Sequence, residues 1–550
     1  MSRIFAAVAV TLAALLALAA AAPSAPAARG RRLYREGVLP SGLPLHGVMQ
    51  GDVPVAGPAA ACASCHRKSG FGGVEGTSLV PPITAPELFG DREPQRAELF
   101  AKLYQEELSP AALARLHGLG KRPAYTAATL AAALRDGRDP TGRALDPLMP
   151  RYRLSDAGIA DLVAYLRTLA AAPAPGVDGT ALHFATVIEP GVEPGQRRAV
   201  LGVLEAFLRR HNADLDRLAE RPGYSPRYKT ELFAGTRHWV LHVWDLAGPA
   251  AGWPAQLAAR YREQPVFAMI SGVGRGEWAP VQDFCAREEL PCLFPETDLP
   301  PAVPGDGSLY LSAGLRLEAA AVASHLRAAA RTGGPLRVVQ VYRQDDPRSA
   351  VPARVLRQAL AGAAGVVVED RQLAEAAPRP ADGRPAALVA WLAAADLAAL
   401  PADVTRDAGE IVLSWTLLDE ALPALPAAWR GRVLVADRFA LPGSESPHVY
   451  RARAWLRSRG LAPSDERLQL DTWFTLSLVE SALMHLVDNF SRDYFVELVE
   501  RETERVPNPG VYPRLSLGPG QRFASKGCYL LRPASGAAGG LASTGEWIVP

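Results

Sequence analysis

From His183 onwards, the chain alternates short apolar runs with longer amphipathic segments. The apolar runs predict strands at 183–188, 240–244, 266–271, 336–342, 366–369, 411–415 and 433–436, and the amphipathic segments predict helices at 196–210, 254–262, 281–289 and 351–360. Repeated strand–helix–strand units predict parallel sheets with helices on both faces. Because residues 179–550 are too many for one sheet, we expect two α/β lobes there.

Between residues 28 and 169 the pattern has the period of a helix instead. Residues 155–169 carry apolar side chains at the i, i+3, i+4, i+7 spacing, and Ser155 supplies an N-cap. These apolar residues are Ile159, Leu162, Val163 and Leu166. A further helix is predicted at 127–134. No convincing strand pattern appears, so we predict an all-α domain, followed by an Ala/Pro/Gly-rich linker at 170–178.

The N-terminus carries a targeting pattern. The apolar run Ile4–Ala22 follows a basic start and precedes the small residues Ala25-Pro26-Ala27, as in a secretory signal peptide. A membrane anchor is the alternative, since the run is nearly long enough to span a bilayer. No later stretch is apolar enough to span a membrane. We therefore predict a signal peptide at residues 1–27 and a mature protein in the periplasm.

Charge excludes one class of partner. Lys and Arg number 59 and Asp and Glu number 57, which leaves a formal net charge of +2. A nucleic-acid-binding surface needs an excess or a cluster of basic residues. We therefore expect no nucleic-acid partner.

The most specific chemical signal is Cys62-Ala63-Ser64-Cys65-His66. Two thiols at this spacing, followed at once by an imidazole, are the pattern of covalent haem attachment. Three alternatives are weaker. A thioredoxin-like redox pair needs a strand before it, where residues 51–61 look like a loop. A structural zinc site needs a second ligand pair at finger-like spacing, and the sequence has none. The third alternative is that the motif occurs by chance.

These residues, a downstream Met149-Pro150 and the closing helix resemble class I cytochrome c over residues 31–169. Arg135-Asp136-Gly137 and Thr141-Gly142 resemble that family's distal-ligand region. The resemblance implies one covalent haem c, with His66 and Met149 as the iron ligands. It also implies a backbone carbonyl from Pro81-Pro82 on the His66 ring. One departure is a Gly/Pro-rich insertion at 39–57.

Other occupants of the sixth iron position remain open. His117 is one, in a departure from the family, and an open or water-bound position is another. Met49 is set aside, because it precedes the haem motif and is expected on the wrong side of it. Met149 is favoured, because a loop flanked by Pro147 and Pro150 is a poor place to bury a core methionine.

The strand–helix order after His183 resembles the type I periplasmic binding proteins, the fold of branched-chain amino acid receptors. Residues 272–276, Gly-Val-Gly-Arg-Gly, have three interpretations: a tight strand-to-helix turn, backbone N–H groups that hold a ligand carboxylate, or a dinucleotide loop. The candidate ligand-binding residues are Trp244, Ser271, Gly272, Gly274, Tyr310 and Trp415. The three aromatic residues have core positions as their alternative.

The chain has five cysteines. If haem takes Cys62 and Cys65, then Cys285 and Cys292 are candidates for a disulfide, which export permits. Cys528 is then left over.

Together these features predict an exported electron carrier with one covalent haem, coupled to a small-molecule-binding module. Its redox partner would be a protein, either a periplasmic dehydrogenase or a terminal acceptor. A non-catalytic role is favoured, because a methionine ligand closes the iron to substrates. Two alternatives are a haem-dependent redox enzyme with its substrate site in the C-terminal module, and a redox-sensing solute receptor.

Overall fold

The computed structural model describes residues 24–75, 78–91, 121–219, 237–373, 386–400, 405–406, 408–419, 422, 425–429, 431–441, 443–444, 446–486, 488–534 and 540–550. The chain divides into two compact units, Met1–Pro173 with Asn489–Tyr494, and Ala174–Asp488 with Phe495–Pro550. The apolar run of the predicted signal peptide and His117 lie outside the described residues. Among the described helices, none has the length and apolar character needed to cross a bilayer.

The first unit contains short helices and shorter strands. Its helices are α1 (Ala25–Glu36), α2 (Ala63–His66), α3 (Ala85–Phe89), α4 (Ala127–Asp136) and α5 (Asp156–Leu166). Its strands are β1 (His46–Met49), β2 (Val53–Ala56), β3 (Gly73–Glu75), β4 (Ser78–Val80) and β5 (Arg151–Tyr152). The two predicted helices are confirmed as α4 and α5. Helix α1 begins inside the predicted signal peptide, whose boundary stays a prediction.

Helices α1 and α5 pack closely against each other. Ser24 caps α1 by accepting a hydrogen bond from the backbone N–H of Ala27, and Gly37 ends the helix in the left-handed conformation. The Arg29 guanidinium donates to both carboxylate oxygens of Asp161 on α5, at 2.8 and 2.7 Å. A Cβ on Gly30 would lie 2.0 Å from the Asp161 carbonyl oxygen, so the two backbones need glycine here.

Replacing Gly30 with alanine is expected to destabilise the first unit by roughly 1–3 kcal/mol, because the added methyl overlaps backbone that cannot rotate away. Thermal unfolding of this unit can be followed through the absorbance of the haem that the resemblance to cytochrome c implies. Arg32→Ala, on an exposed part of the same helix, is the control and should change stability by less than about 0.5 kcal/mol. Equal effects from the two substitutions would contradict the packing argument.

The prediction of an all-α domain is wrong in one respect. The insertion at 39–57 forms the antiparallel pair β1–β2, and β5 adds to the other edge of β1 in the register Gly47–Tyr152 and Val48–Arg151. These strands are too short and too rich in Gly and Pro to show an alternating pattern. The third strand also comes from a distant part of the chain, which no local pattern can indicate.

The second unit has longer elements. Its helices are α6 (Pro194–Ala219), α7 (Trp253–Glu263), α8 (Ala279–Arg287), α9 (Leu315–Gly333), α10 (Pro347–Leu360), α11 (Ala394–Leu397), α12 (Val449–Ser458), α13 (Glu466–Leu486) and α14 (Arg492–Glu502). The first three residues of α14 are assigned to the first unit. Its strands are β6 (Ala181–Ile188), β7 (His238–Asp245), β8 (Ala268–Ile270), β9 (Val273–Glu277), β10 (Cys292–Leu293), β11 (Glu296–Leu299), β12 (Ser308–Leu309), β13 (Leu336–Tyr342), β14 (Val366–Gln372), β15 (Ala386–Trp391), β16 (Ala408–Ser414), β17 (Val433–Asp437), β18 (Cys528–Pro533) and β19 (Leu541–Ile548).

These strands form two sheets, which confirms the predicted pair of α/β lobes. The first has the order β11-β9-β6-β8-β10-β12, with β7 also paired to β6, and its pairings are parallel. The second has the order β14-β13-β15-β16-β17-β18-β19 and is parallel up to β17. Strands β18 and β19 join it antiparallel. Helix α13 returns to the first lobe and packs on α6.

The end of the predicted linker belongs to the second unit. Gly176, at φ 89°, lies so close to the backbone of Val266 and Phe267 that a Cβ would come within 2.1 Å of it. The Gly176 carbonyl accepts a hydrogen bond from His183 N–H on β6, and Asp178 accepts from Ala181 N–H. Residues 176–178 are therefore an anchored lead into β6, a correction to the predicted tether.

Candidate functional site

The predicted haem-attachment residues lie on the single turn of α2. A 3₁₀ turn over Gly57–Ala60 precedes them, and His66 N–H donates to the Cys62 carbonyl at 2.9 Å. Cys62 and Cys65 are three residues apart on this turn, so both thiols are presented from one side of it. Burial raises the pKa of Cys62 to about 12, so this thiol is protonated near neutral pH. A protonated thiol is unlike the low-pKa cysteine of a redox-active pair.

The His66 ring is oriented by a backbone carbonyl, as the resemblance implied. His66 Nδ1 lies 3.0 Å from the carbonyl oxygen of Pro81. Burial lowers the pKa of His66 to about 4, against the opposing effect of that hydrogen bond, so the ring is neutral at physiological pH. A neutral ring that donates from Nδ1 leaves the Nε2 lone pair free to bind a metal.

Both cysteines and His66 line one cavity of about 330 Å³. Met149 lines it too, as does Met49. Its apolar walls include Ile83, Leu88, Leu130, Leu134, Leu162 and Leu166. A covalently attached haem requires two thiols for its attachment and suitable donors for its iron, inside apolar walls. This cavity has both thiols, an imidazole with its metal-binding nitrogen free, and thioether sulfurs. The residues present therefore fit the group.

The loop that carries Met149 is held by its own backbone and by Arg151. Met149 N–H donates to the Asp146 carbonyl at 3.1 Å, and Arg151 Nη1 donates to the Met149 carbonyl at 2.6 Å. The same guanidinium passes so close to Gly137 that a Cβ there would lie 2.1 Å from it. Gly137 thus makes room for the arginine that fixes the methionine loop.

In the second unit, the Gly-Val-Gly-Arg-Gly segment is a strand rather than a strand-to-helix turn. Ser271 and Gly272, at φ 52° and 107°, lead into β9, which pairs in parallel with β11. The carbon and the two oxygens of the Glu189 carboxylate lie 2.2–2.7 Å from the position that a Cβ on Gly274 would take. The same carboxylate accepts a hydrogen bond from Gly276 N–H at 3.2 Å. The chain's own carboxylate thus fills the position predicted for a ligand carboxylate or a dinucleotide phosphate.

Of the three aromatic candidates for the cleft, Trp244 and Tyr310 take the core positions that were their alternative, and Trp415 is partly buried. Trp244 and Tyr310 are buried in the core of the first lobe, and the Tyr310 hydroxyl is hydrogen bonded to Gln282 Oε1 at 3.1 Å. Trp415 packs against the core of the second sheet. Burial of a large aromatic side chain is favourable both in a core and against a ligand. A sequence pattern therefore does not distinguish a core position from a ligand contact.

A polar cavity of about 100 Å³ does lie at the ends of β9 and β11. Its lining residues are Gln196, Val273, Gly274, Arg275, Glu296, Thr297, Asp298, Thr416, Asp419, Arg438, Asp465, Arg467 and Leu468. Within the part of the chain that the structure describes, Gly274 is the one predicted ligand residue in this lining.

Ion pairs surround this polar cavity. Arg467 contacts Glu296 at 3.1 Å, and Arg348 on α10 contacts Asp298 on β11 at 2.9 Å. Because β11 and α10 belong to different lobes, the second of these pairs joins the two lobes. Sequence reasoning missed these charges, although several follow the carboxyl ends of parallel strands, where such folds place their binding crevices.

Residues 56–170 match the family model for cytochrome c. This part of the chain is a cytochrome c domain. The match includes the haem motif and Met149, and helix α1 lies before it. Proteins of this family carry covalently bound haem.

Solved structures of transporter binding proteins are similar to about two thirds of this chain. A fatty acid ABC transporter substrate-binding protein from Thermomonospora curvata is 15% identical, with 69% of this chain and 95% of that one covered and a TM-score of 0.45. A leucine-binding protein from Thermotoga maritima is 13% identical, with 67% and 99% covered and a TM-score of 0.43. A branched-chain amino acid ABC transporter protein from Thermus thermophilus, with bound valine, is 11% identical, with 68% and 97% covered and a TM-score of 0.44. No curated protein matches the sequence.

The disulfide predicted in the second unit is present. Cys285, at the end of α8, is bonded to Cys292 at the start of β10. The two cysteines are seven positions apart in the sequence, so the disulfide links α8 to the strand that follows it. Cys528 is buried and is not in a disulfide.

Proposed function

We propose that this protein is an exported electron carrier with one haem c, attached through Cys62 and Cys65 and ligated by His66 and Met149. The observation that carries the proposal is the shared cavity, in which two thiols, one oriented imidazole and a thioether meet inside apolar walls. The bound haem would supply the one-electron couple. Its redox partner would be another protein, and we favour a periplasmic dehydrogenase.

The contacts that hold His66 and the Met149 loop favour electron transfer over catalysis at a bound haem. The Pro81 carbonyl fixes the His66 ring and increases its basicity. The hydrogen bonds at Asp146 and Arg151 hold the Met149 loop against the cavity. With His66 and Met149 as its iron ligands, a bound haem would have no position for a substrate, and the apolar walls would keep water away.

The test is whether external ligands reach the iron. The purified protein should titrate reversibly between the oxidised and reduced forms, and its absorption spectrum should not change when cyanide or carbon monoxide is added at neutral pH. Met149→Leu, which keeps the volume and removes the sulfur, is expected to lower the reduction potential. Rapid stoichiometric binding of carbon monoxide by the unaltered reduced protein would instead support the haem-enzyme alternative.

A second function, binding of a small polar solute, is favoured by the charged cavity of the second unit. The guanidinium groups of Arg275, Arg438 and Arg467 line it together with several carboxylates. A zwitterion or small carboxylic acid matches this mixture of charges. Because Glu189 already occupies the N–H groups of β9, the solute would bind to side chains rather than to that backbone.

Native mass spectrometry of the protein purified from its own host would show a retained solute. Thermal shifts with a panel of amino acids and small carboxylic acids provide the second measurement. Arg275→Gln should remove the shift, and Arg262→Gln, at the exposed end of α7, should leave it unchanged. Neither a retained mass nor a shift with any solute would contradict this function and leave the electron carrier untouched.

A further inference from the structure

The first unit contains an internal repeat. Residues 35–49 and 135–149 have the same residue type at six equivalent positions, each pair separated by one hundred positions. The identical positions hold Arg35 and Arg135, Gly37 and Gly137, Pro40 and Pro140, Gly42 and Gly142, Leu45 and Leu145, and Met49 and Met149. The second copy ends on the predicted iron ligand, so the first copy ends on that ligand's equivalent.

The two copies have the same backbone structure. Gly37 ends α1 at φ 65°, and Gly137 ends α4 at φ 67°. The carbonyl of each glycine accepts the N–H of the leucine eight residues later, at 2.7 Å for Leu45 and 2.8 Å for Leu145. The sequence similarity is therefore a similarity of structure, which a chance match would not produce.

The turns inside the copies also agree. Gly42 N–H donates to the Leu39 carbonyl and Gly142 N–H donates to the Asp139 carbonyl, both at 2.9 Å. The two glycines have φ values of 84° and 85°. In each copy, the chain therefore runs from the end of a helix through the same turn to a methionine. This methionine lies four residues after a leucine, which is buried in the first copy and half-buried in the second.

The two copies converge on one side of the haem cavity. Strand β1, which ends at Met49, pairs with β5, which begins two residues after Met149. Gln50 N–H donates to the Pro147 carbonyl at 3.1 Å, so the residue after Met49 is bonded to the Met149 loop itself. Both methionines line the same cavity. The expectation that Met49 lies on the wrong side of the haem motif is therefore wrong, because the insertion folds back across the chain.

We propose that Met49 is a second thioether donor to the same iron, which binds when Met149 leaves. This inference rests on the proposed haem site. A methionine side chain has three rotatable bonds, so its sulfur can reach a second position without backbone movement. In the exchange, Met49 Sδ forms the bond to iron that Met149 Sδ gives up. Both sulfurs are neutral, so no proton and no electron is transferred.

The test compares three variants in the otherwise intact holoprotein. Met149→Leu should keep a fraction of six-coordinate haem with the long-wavelength absorption band of a thioether–ferric iron bond. The double variant Met49→Leu with Met149→Leu should lose that band and bind cyanide readily. Met484→Leu, at an exposed methionine of α13, is the control and should match the unaltered protein. A Met149→Leu protein with the spectrum of the double variant would overturn the proposal.

A second measurement uses an external ligand in the Met149→Leu background. There, adding Met49→Leu should strengthen imidazole binding to the ferric protein about threefold or more, because the external ligand no longer competes with Met49. Unchanged imidazole affinity would count against Met49. Absence of covalent haem from the unaltered protein would instead overturn the proposed function, so the two failures are distinguishable.

Discussion

Replacing both Cys62 and Cys65 with serine is expected to abolish covalent haem attachment completely. Serine keeps the size and helical position of each side chain but cannot form a thioether bond, and the two sulfurs belong to the single turn at α2, which lines the cavity. After denaturation and precipitation, the unaltered protein should stay coloured, whereas the double variant should release all of its haem. The single variants should each retain one bond and an altered absorption spectrum.

Cys528→Ala is the matched control for this experiment. Cys528 is a buried cysteine of the second unit that is not in a disulfide. Its loss should leave the colour after denaturation unchanged. Retention of colour by the Cys62→Ser, Cys65→Ser double variant would mean that haem is attached elsewhere or not covalently, and the assignment of α2 would be wrong.

Replacing Glu189 with glutamine is expected to remove most of a pH dependence from the stability of the second unit. Burial raises the pKa of Glu189 from 4.5 to about 7, only partly offset by backbone hydrogen bonds from Gly276 and Arg275. Between these two pH values the folded state holds a proton that the unfolded state has lost. The free energy of unfolding should therefore fall by about 3 kcal/mol as pH rises from 4.5 through 7.

Glutamine is neutral at every pH and its carbonyl can still accept the Gly276 N–H. The Glu189→Gln curve should therefore be flatter across this range and lie above that of the unaltered protein near pH 8. All ten tryptophans lie in the second unit, so their fluorescence in denaturant titrations reports on it. Glu193→Gln, at an exposed position of the same loop, should keep the original slope. Parallel curves for Glu189→Gln and the unaltered protein would show that Glu189 titrates normally.

Local patterns were sufficient for much of the fold. The apolar runs predicted β13 with its observed bounds and β6, β7 and β17 within a few residues. Strands buried on both faces are continuous apolar runs, which explains this success. Strand β9 was missed, because Val273 is followed by Gly, Arg and Gly. Such a sequence looks like a turn until a neighbouring strand supplies its hydrogen bonds.

The haem motif is likewise a local feature. The spacing of Cys62, Cys65 and His66 is set by one helical turn, so the sequence alone could identify the chemistry of attachment. The ring's hydrogen-bond partner at Pro81 was also within reach, through the resemblance to cytochrome c. The disulfide between Cys285 and Cys292 joins neighbouring elements and was predictable for the same reason.

Which residues line the cavity of the haem motif and the polar cavity of the second unit depended on tertiary structure. Met49 was excluded by its position before the haem motif, yet pairing of β1 with β5 brings it beside Met149. For Trp244 and Tyr310 the sequence left a cleft position and a core position open, and tertiary contacts place both in the core. Glu189 was overlooked, although it occupies the backbone that seemed free for a ligand.

The sequence by itself thus determined the haem-attachment turn and the parallel α/β lobes, because both depend on residues close together in the chain. Only the tertiary structure decided which sulfur and imidazole groups line the first unit's cavity and which groups fill the second unit's crevice. The physical reason is that burial and contact depend on partners brought together from distant parts of the chain. Hydrophobic periodicity shows which face of an element is buried, but not what covers that face.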